Sequence, residues 1–256
     1  VRAARAYTGR DRIAVCGYHG WQDWYIGTTT RSLGVPQSAR DLSHTFLYND
    51  LTSLSNLFDE FPDEFAAVIM EPIGVEEPED GFLEGVKSAC HANGALLIFD
   101  EIVSGFRLAL GGAQEIFGVE PDLACFGKGM ANGMPLSAIV GRSDVMEIFD
   151  EIFFSGTFGG ETLSLAACRA TITVLQEEAG LAKIETVGKS LSAGITSIIE
   201  DLGMEDQISI VGRPSRSVLY FPGVDEKESL LRRTALMQQC ILRGLLYFCV
   251  HVPCLA

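Results

Sequence analysis

Three apolar runs stand out in an otherwise mixed chain: Ala66-Ala67-Val68-Ile69-Met70, Ala95-Leu96-Leu97-Ile98-Phe99 and Leu123-Ala124-Cys125-Phe126-Gly127. Unbroken runs of this length fit strands buried on both faces, as in a parallel sheet. Between them, apolar residues fall at helical spacing. Leu51, Leu54, Leu57, Phe58 and Phe61 predict a helix capped by Asp50 and ended by Pro62, and a second helix is predicted over 82–92 with Gly94 as its stop. A short helix over 112–117 precedes the third run, and a short strand over 13–16 feeds a glycine-bracketed aromatic loop, Gly17-Tyr18-His19-Gly20-Trp21. The alternation is the βαβ rhythm of a parallel α/β sheet.

After the third run the pattern predicts a loop over 129–135, a strand over 137–140, a helix over 144–149 and a small-residue loop, Phe153-Phe154-Ser155-Gly156-Thr157-Phe158-Gly159-Gly160. A long helix over 162–178 follows, broken at Gly180. Beyond that glycine the texture changes to a helix over 181–202, strands over 208–211 and 218–221, a helix over 226–242 and a strand over 247–251. The expected division is therefore a large α/β domain over 1–180 and a small C-terminal α+β domain over 181–256. Val1 starts inside a helix-like pattern and Ala256 follows a strand with nothing closing it, so the sequence reads as an internal portion of a longer chain.

Composition narrows the function classes. With 256 residues, 47% apolar and 21% charged, the chain can bury a substantial core. A net charge of −15 argues against nucleic acid, whose phosphates need clustered Lys and Arg. A small anionic ligand stays open, because backbone dipoles and one lysine act locally. The seven cysteines, Cys16, Cys90, Cys125, Cys168, Cys240, Cys249 and Cys254, form no CxxC pair and are odd in number, which points to free thiols in a reducing cytoplasm. His19, His44, His91 and His251 lack metal-ligand spacing, so no metal is expected. The N-terminus has no apolar signal region, and the stretch 240–256 is interrupted by Arg243 and too short to span a bilayer, so no membrane association is expected.

Each apolar run stops on a reactive side chain: Glu71, Asp100 or, between two glycines, Lys128. Ligands of open α/β sheets bind at the carboxyl ends of the strands. Lys128 is either a solvated loop residue or, desolvated by the strand before it, an amine able to attack a carbonyl carbon as a Schiff-base lysine. Asp100 ends a fully apolar strand, where a carboxylate needs a cation; that partner is either a base such as Arg107 or the protonated nitrogen of a pyridine cofactor. Glu101, next in line, points the other way if the strand continues. Tyr18 and His19 are either core aromatics of a tight turn or a platform for a planar ring. Glu71, before Pro72, either ends a strand or joins the site. Thr157 either leads into a helix or binds phosphate through its hydroxyl and the helix N-terminus. There is no G-x-S-x-G elbow, P-loop or G-x-G-x-x-G fingerprint.

The segments Ala4-Arg5-Ala6-Tyr7-Thr8-Gly9-Arg10, Tyr18-His19-Gly20, Glu71-Pro72, Leu97-Ile98-Phe99-Asp100-Glu101-Ile102, Pro121-Asp122-Leu123 leading to Gly127-Lys128, and Ser155-Gly156-Thr157-Phe158-Gly159-Gly160 occur in this order. Together they resemble the class III, fold-type I aminotransferases dependent on pyridoxal 5'-phosphate (PLP), nearest to the branch containing glutamate-1-semialdehyde 2,1-aminomutase. The resemblance implies a mostly parallel central sheet with helices on both faces, plus part of a small α+β domain. It implies that Lys128 holds PLP as a Schiff base and shuttles a proton, that Asp100 holds the pyridine nitrogen, and that Tyr18 and Val103 cover the two ring faces. His19 is counted with the cofactor-binding residues and Glu71 as a cofactor- or substrate-side carboxylate. Thr157 would reach the cofactor phosphate of a neighbouring subunit, which implies a homodimer with shared active sites.

Two departures accompany the resemblance. The family's phosphate loop lies upstream of the segment matched by Val1, and Glu161-Thr162 stands where Asn-Pro usually follows the paired glycines. The implied function is transfer of an amino group between a small amine or amino acid and a keto or aldehyde substrate, by an aminotransferase or a 2,1-aminomutase. The rivals are a PLP racemase or decarboxylase on the same fold and a catalytically silent fragment. The 256-residue piece alone is expected to be weakly active or inactive.

Overall fold

The computed structural model describes residues 1–248 and the backbone course of Val250 and His251. Its contacts divide the chain into two compact units, Val1–Ile73 with Pro78–Thr173, and Gly74–Glu77 with Val174–Ala256.

The first unit is built on six strands, β1 (Arg12–Cys16), β2 (Ser43–Thr45), β3 (Phe65–Met70), β4 (Leu96–Asp100), β5 (Leu123–Phe126) and β6 (Ala138–Gly141), in the order β2-β1-β3-β4-β5-β6. The first five are mutually parallel where they pair, and β6 runs antiparallel to β5. The expected strand over 137–140 is displaced by one residue and runs antiparallel to β5, an edge of a kind common on otherwise parallel sheets. Every residue of β3 and β4 is buried, which is why their sequences show no polar alternation.

The strand period of two sorts these apolar runs onto two cores. Val68, Met70, Leu97 and Phe99 join one cluster with Phe58, Val86 and Cys90 from helices Leu51–Glu60 and Phe82–Ala92. Ala67, Ile69, Leu96 and Ile98 join the other with Ile13, Val15 and Leu123. Asp50 caps the first helix by accepting the Ser53 N–H at 3.0 Å, as its position suggests. The second spans Phe82–Ala92, with Gly94 at φ 66 beyond it.

The second unit contains helix Gly180–Asp201, the antiparallel hairpin β7 (Ser209–Arg213) and β8 (Arg216–Tyr220), helix Glu226–Leu242 and β9 (Val250–His251), antiparallel to β8. The helix break expected at Gly180 lies just before it: Ala179 takes φ 51 and Gly180 opens the next helix. Segment Gly74–Glu77 is tied to the hairpin by a two-pronged Arg213–Glu77 pair at 2.7 and 2.9 Å and by Arg216 donating to the Gly74 carbonyl at 2.9 Å. The strand expected over 247–251 is a strand only at Val250–His251; Cys249 lies outside the described residues. Among the described residues no helix is long and apolar enough to cross a membrane.

Candidate active site

The parallel strands β1, β3, β4 and β5 end at one edge of the large sheet. The strand order reverses between β1 and β3, the place where the strand ends of an open α/β sheet part to leave a crevice. A cleft of about 290 Å³ opens there. Tyr18, His19, Gly20, Trp21 and Gln22 reach it from the loop after β1, Glu71 from the end of β3, Asp100, Ile102 and Val103 from the end of β4, and Lys128 from beyond β5.

The loop after β1 is shaped by a carboxylate. Gly17 takes φ 102, and a Cβ there would lie 2.8 Å from Glu71 Oε2, so both its conformation and its clearance demand glycine. The space holds a contact: Glu71 Oε2 accepts the Tyr18 N–H at 3.1 Å. Tyr18 stays 63% exposed on the cleft wall, its ring edge-on to Tyr25 at 5.5 Å. Glu71 is fixed in turn by donating its own N–H to the Cys16 carbonyl at 3.1 Å. Burial, with Glu71 nearby, pushes the Cys16 thiol up to about 11, so it is no nucleophile at neutral pH.

Asp100 is the last residue of β4 and is buried. Its Oδ2 meets His19 Nδ1 at 2.8 Å, and its Oδ1 accepts the Ile102 N–H at 3.1 Å as the chain turns. His19 Nε2 faces the Cys16 carbonyl at 3.0 Å. β4 ends at Asp100, so strand periodicity does not fix Glu101, which is wholly buried on other partners. Its carboxylate accepts the N–H groups of Ala113 and Gln114, both at 2.8 Å, and the Ser104 hydroxyl, closing the start of helix Ala113–Phe117. Burial pushes the Glu101 carboxyl up, and these hydrogen bonds offset part of the rise. Two adjacent acids thus have two jobs.

Lys128 corrects one expectation. It opens a 3-10 turn, Lys128–Met130, with φ 41, and its side chain is exposed on the cleft wall rather than desolvated by β5. The left-handed residue turns the chain away from the strand's apolar end. A lysine held in that region costs on the order of 1 kcal/mol or more, the kind of strain that surrounding structure maintains at functional positions.

The sequence candidates Tyr18, His19, Glu71, Asp100, Val103 and Lys128 therefore line one cleft. Thr157 does not; it is exposed in the turn after Ser155. Trp21, Gln22 and Ile102 were not singled out by the sequence. Trp21 is 81% exposed, and its signal was available in the aromatic loop. The His19–Asp100 contact had none, because β3 lies between their strands. Among the described residues no cluster of three or more acids, histidines or cysteines could hold a metal. A buried acceptor, an exposed amine and an open aromatic face suit a flat heterocycle that carries a basic nitrogen and a carbonyl.

Known proteins resemble this chain in sequence and in fold. The family model described as aminotransferase class-III matches residues 3–213. A 3-aminobutyryl-CoA aminotransferase from Cloacimonas acidaminovorans (strain Evry) is 38% identical over 86% of this chain and 54% of its own length. A glutamate-1-semialdehyde 2,1-aminomutase from Methanocella arvoryzae is 37% identical over 91% of this chain and 59% of its own. The structure of the PLP internal aldimine form of the Sphingopyxis sp. MTA144 FumI protein superposes with a TM-score of 0.86 at 28% identity, covering 97% of this chain and 60% of that one. The chain spans little more than half the length of the curated relatives it matches. By sequence and by its mostly parallel fold-type I sheet, it belongs to the class-III aminotransferase family.

Proposed function

We propose that the complete protein moves an amino group between a small amine or amino acid and a keto or aldehyde compound, using PLP. The observation that carries this is the meeting of the Lys128 amine, the Asp100 carboxylate and the Tyr18 ring in one cleft. Bound there, PLP would supply a carbonyl carbon for amines and a ring that withdraws electrons from them. Lys128 would be the amine that holds the cofactor, and its nitrogen would be placed to carry a proton. Asp100 would hold its ring nitrogen, and Tyr18 and Val103 would pack on the ring and limit water. Glu71 holds Tyr18 in place and leaves an acid on the cleft wall.

Among the described residues lining the cleft, Lys128 is the only lysine or arginine, so phosphate recognition falls to residues beyond it. Thr157, exposed and on a glycine-rich turn, suits a phosphate bound by a second copy of the chain, and a homodimer with shared sites follows from that reading. Free thiols at Cys16, Cys90, Cys125, Cys168 and Cys240 suit a cytoplasmic enzyme, and the net charge of −15 suits small-molecule substrates rather than nucleic acid or membrane.

Adding PLP to the complete protein is expected to give a yellow species, with the lysine-linked visible band lost in Lys128→Ala and turnover down by at least about 100-fold. A protein that stays colourless overturns the proposal. Supplying an amino donor with a keto acid separates the alternatives: transfer gives a new amino acid, an aminomutase rearranges one molecule, and a racemase or decarboxylase does neither.

A further inference from the structure

We propose that Glu101 is the positioning residue for Val103, clasping the turn that holds the Val103 side chain on the cleft wall. This rests on the amino-transfer reading above, in which Val103 packs on the cofactor ring, and deepens it. β4 ends at Asp100, and the chain then folds into a tight turn closed by the Gly105 N–H, which donates to the Glu101 carbonyl at 2.8 Å. The residues it encloses fall into two sets. Glu101 and Ser104 are buried, and the Ser104 hydroxyl donates to the Glu101 carboxylate. Ile102 and Val103, between them, line the cleft. A clasp between the buried ends therefore fixes where the middle side chains point.

The same carboxylate fastens the far end of the loop. It accepts the Ala113 and Gln114 N–H groups, both at 2.8 Å, so one side chain holds the chain where it leaves β4 and where it enters the next helix. A loop held at both ends has fewer conformations to lose when Val103 meets a ring. The packing leaves no slack around the clasp. Gly112 takes φ 82, and a Cβ there would overlap the carboxylate; a Cβ on Gly105 would overlap the Phe126 ring. The Glu101 N–H donates to the Cys125 carbonyl at 2.9 Å, which ties the turn to β5. An acid that served only to start the helix would need the two backbone N–H groups alone. The Ser104 contact adds nothing to the helix and acts on the turn that carries Val103.

The test is a double-mutant cycle between Glu101→Gln and Val103→Ala in the complete protein. It is read by the dissociation constant for PLP, from a visible-absorbance titration, and by hydrogen exchange over residues 102–112 before PLP is added. The Gln side chain has the same length but one acceptor oxygen, so a donor among Ser104, Ala113 and Gln114 loses its partner. Glu101→Gln is expected to speed exchange in the loop and to weaken PLP binding about tenfold. In the Val103→Ala background the same change is expected to weaken it less than about twofold, because the side chain it positions is gone. Losses that simply multiply would assign Glu101 to the fold at large and overturn the inference, as would unchanged exchange or unchanged PLP affinity in Glu101→Gln. Where Glu101→Gln fails to fold, Ser104→Ala decides by the same cycle. It keeps the carboxylate on both backbone N–H groups, and its expected loss of about threefold must likewise vanish with Val103→Ala. Wild-type protein that takes up no PLP overturns the amino-transfer reading as well, whereas multiplying losses in a protein that binds PLP overturn this inference alone.

Discussion

Asp122, just before β5, and Asp100, at the end of β4, are buried carboxylates at opposite ends of neighbouring strands. At the amino end every direction is taken. Asp122 accepts the Leu97 N–H at 2.7 Å, Arg142 at 2.7 Å and His91 at 3.1 Å, and Arg142 continues to Asp144, which also accepts the Tyr7 hydroxyl at 2.6 Å. Burial pushes the Asp122 carboxyl up, but these donors outweigh it and hold it below its usual range. At the carboxyl end Asp100 has His19 and one backbone N–H, and it lines a cleft. A saturated buried acid joins elements of the fold. An acid with fewer partners, beside an opening, is a candidate for a ligand.

The contrast can be broken by exchanging charge for amide at each end. The largest effect is expected for Asp100→Asn, which should slow the amine half-reaction of the complete protein by at least about 100-fold in stopped-flow absorbance. Asp122→Asn should leave that rate within a few-fold but lower the unfolding free energy by about 2–3 kcal/mol in urea titration. An Asp122→Asn enzyme as slow as Asp100→Asn would erase the distinction. The pH dependence sharpens it. Because the folded Asp122 carboxyl is depressed, its contribution is complete above the unfolded value of 3.8 and is lost as pH falls through the folded one. The deficit of Asp122→Asn should therefore shrink in acid, and a deficit that stays constant or grows would count against this account. The smallest effect is expected for His91→Ala, which removes one half-exposed donor of several and should cost less than about 1 kcal/mol.

Much of this sheet edge could be read before any coordinates. Glu71, Asp100 and Lys128 each follow an apolar run, and burial on both faces makes such runs visible as runs. Asp50 announced its helix because a cap needs only local sequence. What escaped depends on chain direction or on distant neighbours. The reversal of β6 leaves no mark on its residues, since an apolar strand pairs either way. The exposure of Lys128 follows from a positive φ that nothing about lysine foretells. His19 and Asp100 lie 81 residues apart, and only the completed strand order brings them together. Glu101 closes a helix twelve residues on, through the Ala113 N–H, a job its place beside Asp100 does not announce.

The contact between Glu71 and the Tyr18 amide ties two properties that an engineer would prefer to adjust apart. Any replacement of Glu71 also releases the backbone that aims the aromatic ring, and while Glu71 stays, a side chain at Gly17 would meet its carboxylate at 2.8 Å, besides the strain of φ 102. The lining of the cleft is therefore varied with least disturbance at the Trp21 and Gln22 side chains, which line the opening outside the Glu71 contact.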